Sequence, residues 1–591
     1  MVALGSGLGQ NASATVVAGQ AEERTHEGES PMSWSPYKAD SYLDFPDVMA
    51  WCEAAAQAHP DWVSLKIIGT TDNKRPIPLL IIGDQSDDPG RKPALWLDGG
   101  THAAEWTGVM SALYSASEWI QGLASGDEKM RAKFARRTAY VAPCISPDGY
   151  QALHEGAPFM RSTLRPQPDG THRSGLDPRD LTGDGHIRWM RWRHPAGSWV
   201  EDPAQPMCMR KRSVDDDPAD AFFFCDEGLF IEWDGNTWVD APREFGLDLN
   251  RNFPGGWSPF RMFGMDGGAF PLSAPESRCV VDAVHARTNI AIAVTNHTYT
   301  GCLLTQPYRK PSPLPQQDID LMERMADQAV EGTGYRVIKV HPDFVYDEDK
   351  PIIGVWADTL STVFAIPGYT LELWNPYDFA GVELEKPAEF FQKPDPKIIR
   401  AIIDKAATMA DVIQPWQAFE HPQLGSVEVG GFDYMRVVRN PPVSLLAKEC
   451  ERGHAVADRM LRTTPDLQVE FRSEPHGDVT VLTAFFENQG FLSTSSMSHG
   501  ETIQRVPPIR ATLTTGAQAE LLDGEATQIV GHLDGWGALQ TGFGQHAIYP
   551  SLGMRGSRAK ISWVIQGSGE VEVCWSAPRA GSGQAKIKLG S

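Results

Sequence analysis

Apolar positions recur along this chain in two rhythms, and the change from one to the other divides it. From Asp44 onward, Phe45, Val48, Met49, Trp51, Ala54 and Ala55 share one side of a helix that should end near His59. Val63–Ile68 and Pro76–Ile82 read as strands of a hairpin, with Asp72-Asn-Lys-Arg as its turn. Pro93-Ala-Leu-Trp-Leu is a continuous apolar run, which predicts a strand buried on both faces. Helical spacing then covers Gly108–Leu123. A strand follows from Thr138, closed by a turn at Ser146-Pro-Asp-Gly149. Later come a helix starting at Pro275, a strand at Ile290–Thr295, helices at Gln316–Glu331 and Val355–Val363, a strand at Gly368–Trp374 and a helix at Ile398–Ile413. Strands alternating with helices predict an α/β domain around a mixed sheet, over 36–415. Within it, about 151–245 is dense in Pro, Gly, Asp and Arg and reads as an insertion lying over one face.

After about 420 the period drops to two. Val427–Phe432, Leu467–Phe471, Val479–Phe486, Ala559–Ile565 and Val571–Trp575 are short alternating runs between Gly, Ser and Asn turns. That pattern predicts an all-β sandwich of immunoglobulin-like type at 465–591. The stretch 416–464, with a helix at Val443–Leu461, is expected to be a connector. Residues 1–35 have little periodicity and read as a disordered tail.

The charge changes the picture by exclusion. A formal net charge of −23 disfavours nucleic acid and anionic membrane as partners, since both need a basic face. No apolar run approaches the length of a membrane span. The first basic residue is Arg24, so the start is a poor signal peptide and the sequence reads as cytoplasmic. The eight cysteines are scattered without a Cys-x-x-Cys pair, as expected of free thiols. Oligomeric state is not set by any of these features.

The candidate chemistry sits at strand ends. His102 and Glu105 follow the buried strand at Ala94–Leu97, three positions apart, so one turn aims both at a single point. His297 directly follows the strand at Ile290, and Glu372 lies on the strand at Gly368. Two imidazoles and a carboxylate are donors suited to a catalytic zinc with an open fourth position. A further carboxylate, here Glu372, could take a proton from water at that position. Asn250-Arg251 offers an amide and a fixed cation suited to gripping a substrate carboxylate. Asp180-Leu-Thr-Gly-Asp184-Gly185 is like the start of a calcium loop, but Arg191 stands where its last ligand should be. An Asx-stabilised turn is therefore favoured over Ca2+ at Asp180 and Asp184.

In order, Gly100-Thr-His-Ala-Ala-Glu-Trp106, Asp248-Leu-Asn-Arg-Asn-Phe253, Asn296-His-Thr-Tyr299 and Thr370-Leu-Glu-Leu373 resemble the motifs of the zinc carboxypeptidases typified by carboxypeptidases A and B. The resemblance covers about 45–415 and implies that family's mixed sheet with helices on both faces. It implies one Zn2+ held by His102, Glu105 and His297, with Glu372 as general base and acid. It also implies a substrate carboxylate held by Asn250 and Arg251. The family's carbonyl-polarising arginine would be Arg161 or Arg165, with Arg191 a third possibility. Tyr346 is the nearest match to its mobile tyrosine, and Tyr299 is expected to line the cleft. Ala104 stands where an arginine is common, and Ala357 is expected to face the specificity pocket. The implied activity is removal of a C-terminal residue from a peptide. Two alternatives stand beside it: hydrolysis of acyl-amino acids by the same zinc, and a catalytically silent binding protein.

Overall fold

The computed structural model describes residues 34–164, 174–235, 239–241, 247–259, 261–262, 265–346, 351–392, 394–409, 412–538 and 556–589. The stretch expected to be a tail lies outside these residues up to position 33, and so does Arg165.

Eight strands form the central sheet: β1 (Val63–Thr70), β2 (Pro76–Ile82), β3 (Ala94–Asp98), β4 (Thr138–Ala142), β5 (Ile290–Thr298), β6 (Cys302–Thr305), β7 (Arg336–Lys339) and β8 (Gly368–Leu373). Their spatial order is β1-β2-β4-β3-β5-β8-β6-β7. β4, β3, β5 and β8 run parallel, whereas β1 on β2, β2 on β4, and β6 on β8 are antiparallel, so the sheet is mixed. Side chains alternate through β3. Leu95 and Leu97 join one core with Val109, Leu113 and Leu371, and Ala94 and Trp96 join the other with Val280, Val284 and Leu360. Both faces are covered by helices, which is why the strand reads as an unbroken apolar run. On the first face lie Trp106–Ser125, Gln316–Val330 and Val443–Arg462; on the second lie Pro275–His285 and Trp356–Thr362.

Three expectations are corrected. Ser146–Gly149 is not a turn but the start of a helix, Pro147–His154. Proline at the first helical position suits a helix start as well as it suits a turn. The insertion is not a plain covering loop. Its strands 189–193, 199–202, 205–211 and 222–226 join 413–421 and 425–432 in a six-stranded sheet around Met190, Val427 and Val429. The stretch 416–464 is therefore no simple connector. Its first part completes that sheet, and its helix belongs to the main core. Leu446, Cys450, Val456 and Met460 are buried on it, and a Cβ at Gly453 would meet Ser111 Oγ at 2.2 Å. Trp119 Nε1 donates to Asp458 from the facing helix at 2.9 Å.

Asp180 and Asp184 sit in a loop closed by its own hydrogen bonds. Asp180 accepts the amides of Gly183 at 2.7 Å and Gly185 at 2.8 Å, and Asp184 pairs with Arg188 Nε at 2.6 Å. This is the Asx-turn arrangement.

Beyond 466 the chain is mainly strands. Two four-stranded antiparallel sheets share one core, with Leu482, Phe486 and Trp563 from one and Ala511, Leu513 and Val573 from the other. Arg579 ties this sandwich to the α/β part. Its buried guanidinium donates to the carbonyls of Ala365 at 2.5 Å, Phe364 at 2.6 Å and Ser495 at 3.0 Å. No helix among the described residues is long and apolar enough to cross a membrane.

Candidate metal centre

Two close backbone approaches bring the metal motif to β5. β3 ends at Asp98, whose buried carboxylate accepts from Trp96 Nε1 at 2.7 Å and Trp356 Nε1 at 2.8 Å. A Cβ at Gly99 would meet Gly108 O at 2.4 Å, and one at Gly108 would meet Asn296 O at 2.8 Å. The first turn of helix Trp106–Ser125 can therefore lie directly against the exits of β3 and β5. His102 and Glu105, just before that helix, arrive beside His297, which is the penultimate residue of β5 rather than the residue after it.

The three side chains converge. Glu105 Oε1 lies 2.9 Å from His102 Nδ1, Glu105 Oε2 lies 2.8 Å from His297 Nδ1, and the two Nδ1 atoms are 3.0 Å apart. Exposure is 4%, 2% and 1% for His102, Glu105 and His297, so all three side chains are buried. This is the one group of its kind among the described residues. Two ring nitrogens pressed together beside a buried carboxylate fit a divalent cation, and the donor set suits zinc with an open position. Burial alone would raise the Glu105 carboxyl. The charges of His102 and His297 and their hydrogen bonds outweigh it and hold it well below the usual carboxylate range. His102 Nε2 meets Asp248 Oδ1 at 3.2 Å, a contact of the kind that fixes an imidazole when it binds a metal.

Around this point lies a cavity of about 420 Å³. Glu372 lines it from β8, where it is the register partner of His297. Burial and the Glu105 charge push its carboxyl up to about 7. Arg161 lines the same cavity, its Nε donating to Asp248 Oδ2 at 2.8 Å. Its carbonyl accepts the Ala103 amide at 2.6 Å, which ties it to the metal motif. Arg191 is elsewhere. It pairs with Glu201 and Glu428 in the six-stranded sheet and stacks on Trp416. Arg251, Tyr299 and Tyr346 all line the cavity. Asn250 packs behind Arg251, its Oδ1 accepting the Trp356 amide at 2.8 Å. Ala357 is fully buried among Cys302, Leu304 and Val355 and is not part of the lining.

Helix Pro147–His154 holds the Arg161 segment in place. A Cβ at Gly149 would stand 1.9 Å from Ser162 O and 2.9 Å from Ala103 Cβ. Gly149→Ala is therefore expected to push Arg161 away from the metal motif. The cost is about 1–3 kcal/mol of stability from overpacking, and a displacement of about 1 Å lowers kcat by about 10²-fold. Thermal melting and steady-state kinetics on the variant check both; native kinetics would show that this contact does not set the position of Arg161.

Other cavity residues were missed in the sequence. Asp248, given no role beyond opening the Asn250-Arg251 motif, links His102 to Arg161. Its signal was an acid two positions before Asn250-Arg251. Phe390, Phe391, Ile399, Ile402 and Ile403 build an apolar wall from the helical segments 387–392 and 396–406. Arg439 reaches Glu105 Oε1 at 3.5 Å across 334 positions, with no local motif to announce it.

A sequence model of the zinc carboxypeptidase family matches residues 48–401, and one described as a domain of unknown function matches 467–588. Carboxypeptidase B of Astacus astacus is 31% identical over 147 residues, which are 25% of this chain and 45% of that protein. Zinc carboxypeptidase A 1 of Anopheles gambiae is 31% identical over 143 residues, 24% of this chain and 31% of that protein. The aligned stretches thus span less than half the length of these relatives. Among solved structures, thrombin activatable fibrinolysis inhibitor aligns over 73% of this chain and 77% of its own, at 16% identity and a TM-score of 0.41. Because the family match runs over more than half of the 591 residues and takes in every position from His102 to Glu372, the chain belongs to the zinc carboxypeptidase family.

Proposed function

We propose that this protein is a zinc-dependent carboxypeptidase that cleaves the last peptide bond of a substrate with a free C-terminal carboxylate and an apolar last residue. The carrying observation is that Glu105, Glu372, Arg161 and Arg251 line one cavity. A metal donor, a second carboxylate and two cations thereby face a single bound group. A zinc ion held by His102, Glu105 and His297 would supply Lewis acidity toward the carbonyl and acidify water. Glu372 takes the proton from the attacking water and returns it to the departing amine nitrogen. Its raised carboxyl pKa makes it a better proton acceptor than an exposed carboxylate. Arg161, oriented by Asp248, donates to the carbonyl oxygen as negative charge gathers there. Arg251 pairs with the terminal carboxylate, and Asn250 packs behind it, anchored to the Trp356 amide. Tyr299 and Tyr346 wall the bound residue, and the Phe390–Ile403 side takes its apolar side chain.

The test is a release assay on blocked dipeptides ending in Phe, Leu, Lys or Glu, each as free acid and as amide, beside the matching acyl-amino acids. Only the free acids should be cut, with Phe and Leu fastest. Arg251→Ala should lower kcat/KM by about 30-fold or more, because truncating one partner of a buried charged pair costs about 2–5 kcal/mol. Equal turnover of acid and amide would remove the role of Arg251. Turnover confined to acyl-amino acids would shift the reading to a deacylase.

A further inference from the structure

The cavity at the metal centre has a neighbour. A second cavity of about 660 Å³ adjoins it, and Phe159, Phe432, Tyr434 and Arg439 line both. Its outer walls include Trp106, the first residue of the helix after the metal motif, and the stacked pair Trp189 and Phe224 of the six-stranded sheet, 4.9 Å apart. The shared wall at 432–439 lies beyond the zinc carboxypeptidase match, which ends at 401.

Arg439 stands where the two spaces meet. Its Nη1 is 3.5 Å from Glu105 Oε1 and 3.5 Å from the Thr298 carbonyl, and its guanidinium lies 5.0 Å over the Tyr299 ring. Arg436, on the wall of the second cavity, faces Asp433, its Nε 3.9 Å from Asp433 Oδ2. Trp106, Phe159, Trp189, Phe224 and Tyr434 give this cavity an aromatic lining, which suits an aromatic group on a ligand.

We propose that the second cavity binds the part of a peptide substrate upstream of the scissile bond, taking an aromatic side chain against these rings, with Arg439 as a positioning residue. This rests on the reading of the first cavity as the reaction site. Arg161 and Arg251 there take the substrate from the scissile carbonyl to its C-terminus. The rest of the chain must leave past Glu105, and Arg439 marks that exit. The insertion and the segment that follows the family match then act together as a specificity wall.

The experiment separates binding from turnover. Zinc-loaded Glu372→Gln protein is titrated calorimetrically with blocked peptides that share one C-terminal residue and carry Phe at one, two or three positions upstream, against an all-Ala peptide. At least one Phe position should tighten binding by about tenfold, and Trp189→Ala or Phe224→Leu should abolish that gain. Affinities equal within about twofold would overturn the proposal, as would a gain that survives both variants. Should the variants not fold, a benzophenone in place of the upstream ring gives a second reading. Crosslinks to 186–189 or 432–439 support the site, and crosslinks elsewhere overturn it. Native protein that binds with this pattern but cuts no peptide would sink the carboxypeptidase reading and leave the binding site standing.

Discussion

Dialysis against a chelator is expected to abolish hydrolysis of the C-terminal peptide bond, and one equivalent of Zn2+ per chain to restore it. The three donors are at most 4% exposed and pressed to contacts of 2.8–3.0 Å, so they form a preassembled site rather than one gathered from flexible loops. The two imidazole Nδ1 atoms face each other across 3.0 Å, a separation that suits shared coordination of one cation. A ligand that binds only the folded state stabilises it by about 4 kcal/mol when present at about a thousand times its Kd. Metal-free protein should therefore melt several degrees lower as well as lose turnover. Glu105→Gln should reproduce both effects, because an amide replaces the charged donor. Metal content by atomic emission, melting by calorimetry and release of the terminal residue check this together. Full turnover with no metal left on the chain would end the zinc reading.

Much of this centre was legible in the sequence because each piece is announced locally. β3 is an apolar run closed by Asp98-Gly-Gly, and His102 and Glu105 follow within one turn of chain. β5 and β8 are apolar runs that deliver His297 and Glu372, and parallel pairing in register sets those two side by side. Arg161, Arg251, Tyr299 and Tyr346 line one cavity with Glu105 and Glu372. The parts that were not legible depend on distant segments or on weak local signals. The six-stranded sheet uses strands of four and five residues, Trp199–Asp202 and Trp189–Arg193, whose Trp, Arg and Asp content hides any alternation. Its small core of Met190, Val427 and Val429 is shared between segments more than two hundred positions apart, so neither half reads as a sheet alone. Arg191 looked like a candidate by type and neighbourhood, yet its register in that sheet points it to Glu201 and Glu428. Arg439 lies in a stretch that periodicity marks only as a lead-in to a helix. Its approach to Glu105 depends on how helix Val443–Arg462 docks on Trp106–Ser125, which no local pattern fixes.

Glu372→Gln is expected to lower kcat by about 10³-fold or more while zinc content and KM stay near native values, since one general acid–base group contributes about 10²–10⁴-fold and this residue serves twice. The amide is isosteric with the carboxylate and keeps the packing of β8 against β5, so the metal donors on the neighbouring strand should not move. It cannot accept a proton from water at neutral pH, nor hand one to the leaving nitrogen. Activation of the nucleophile and departure of the amine then fail together. The pattern differs from that of Arg161→Ala, where loss of a single oxyanion donor costs about 10²–10³-fold in kcat and leaves proton transfer intact. It also differs from metal loss, which takes the zinc signal and the thermal stability with it. A Glu372→Gln protein that retains zinc and turns over near the native rate would place the proton transfer on another group. Among the residues lining the cavity, Asp248 is the remaining carboxylate that is not a metal donor, and it is already committed to His102 and Arg161. Retained activity would therefore require a different catalytic geometry altogether.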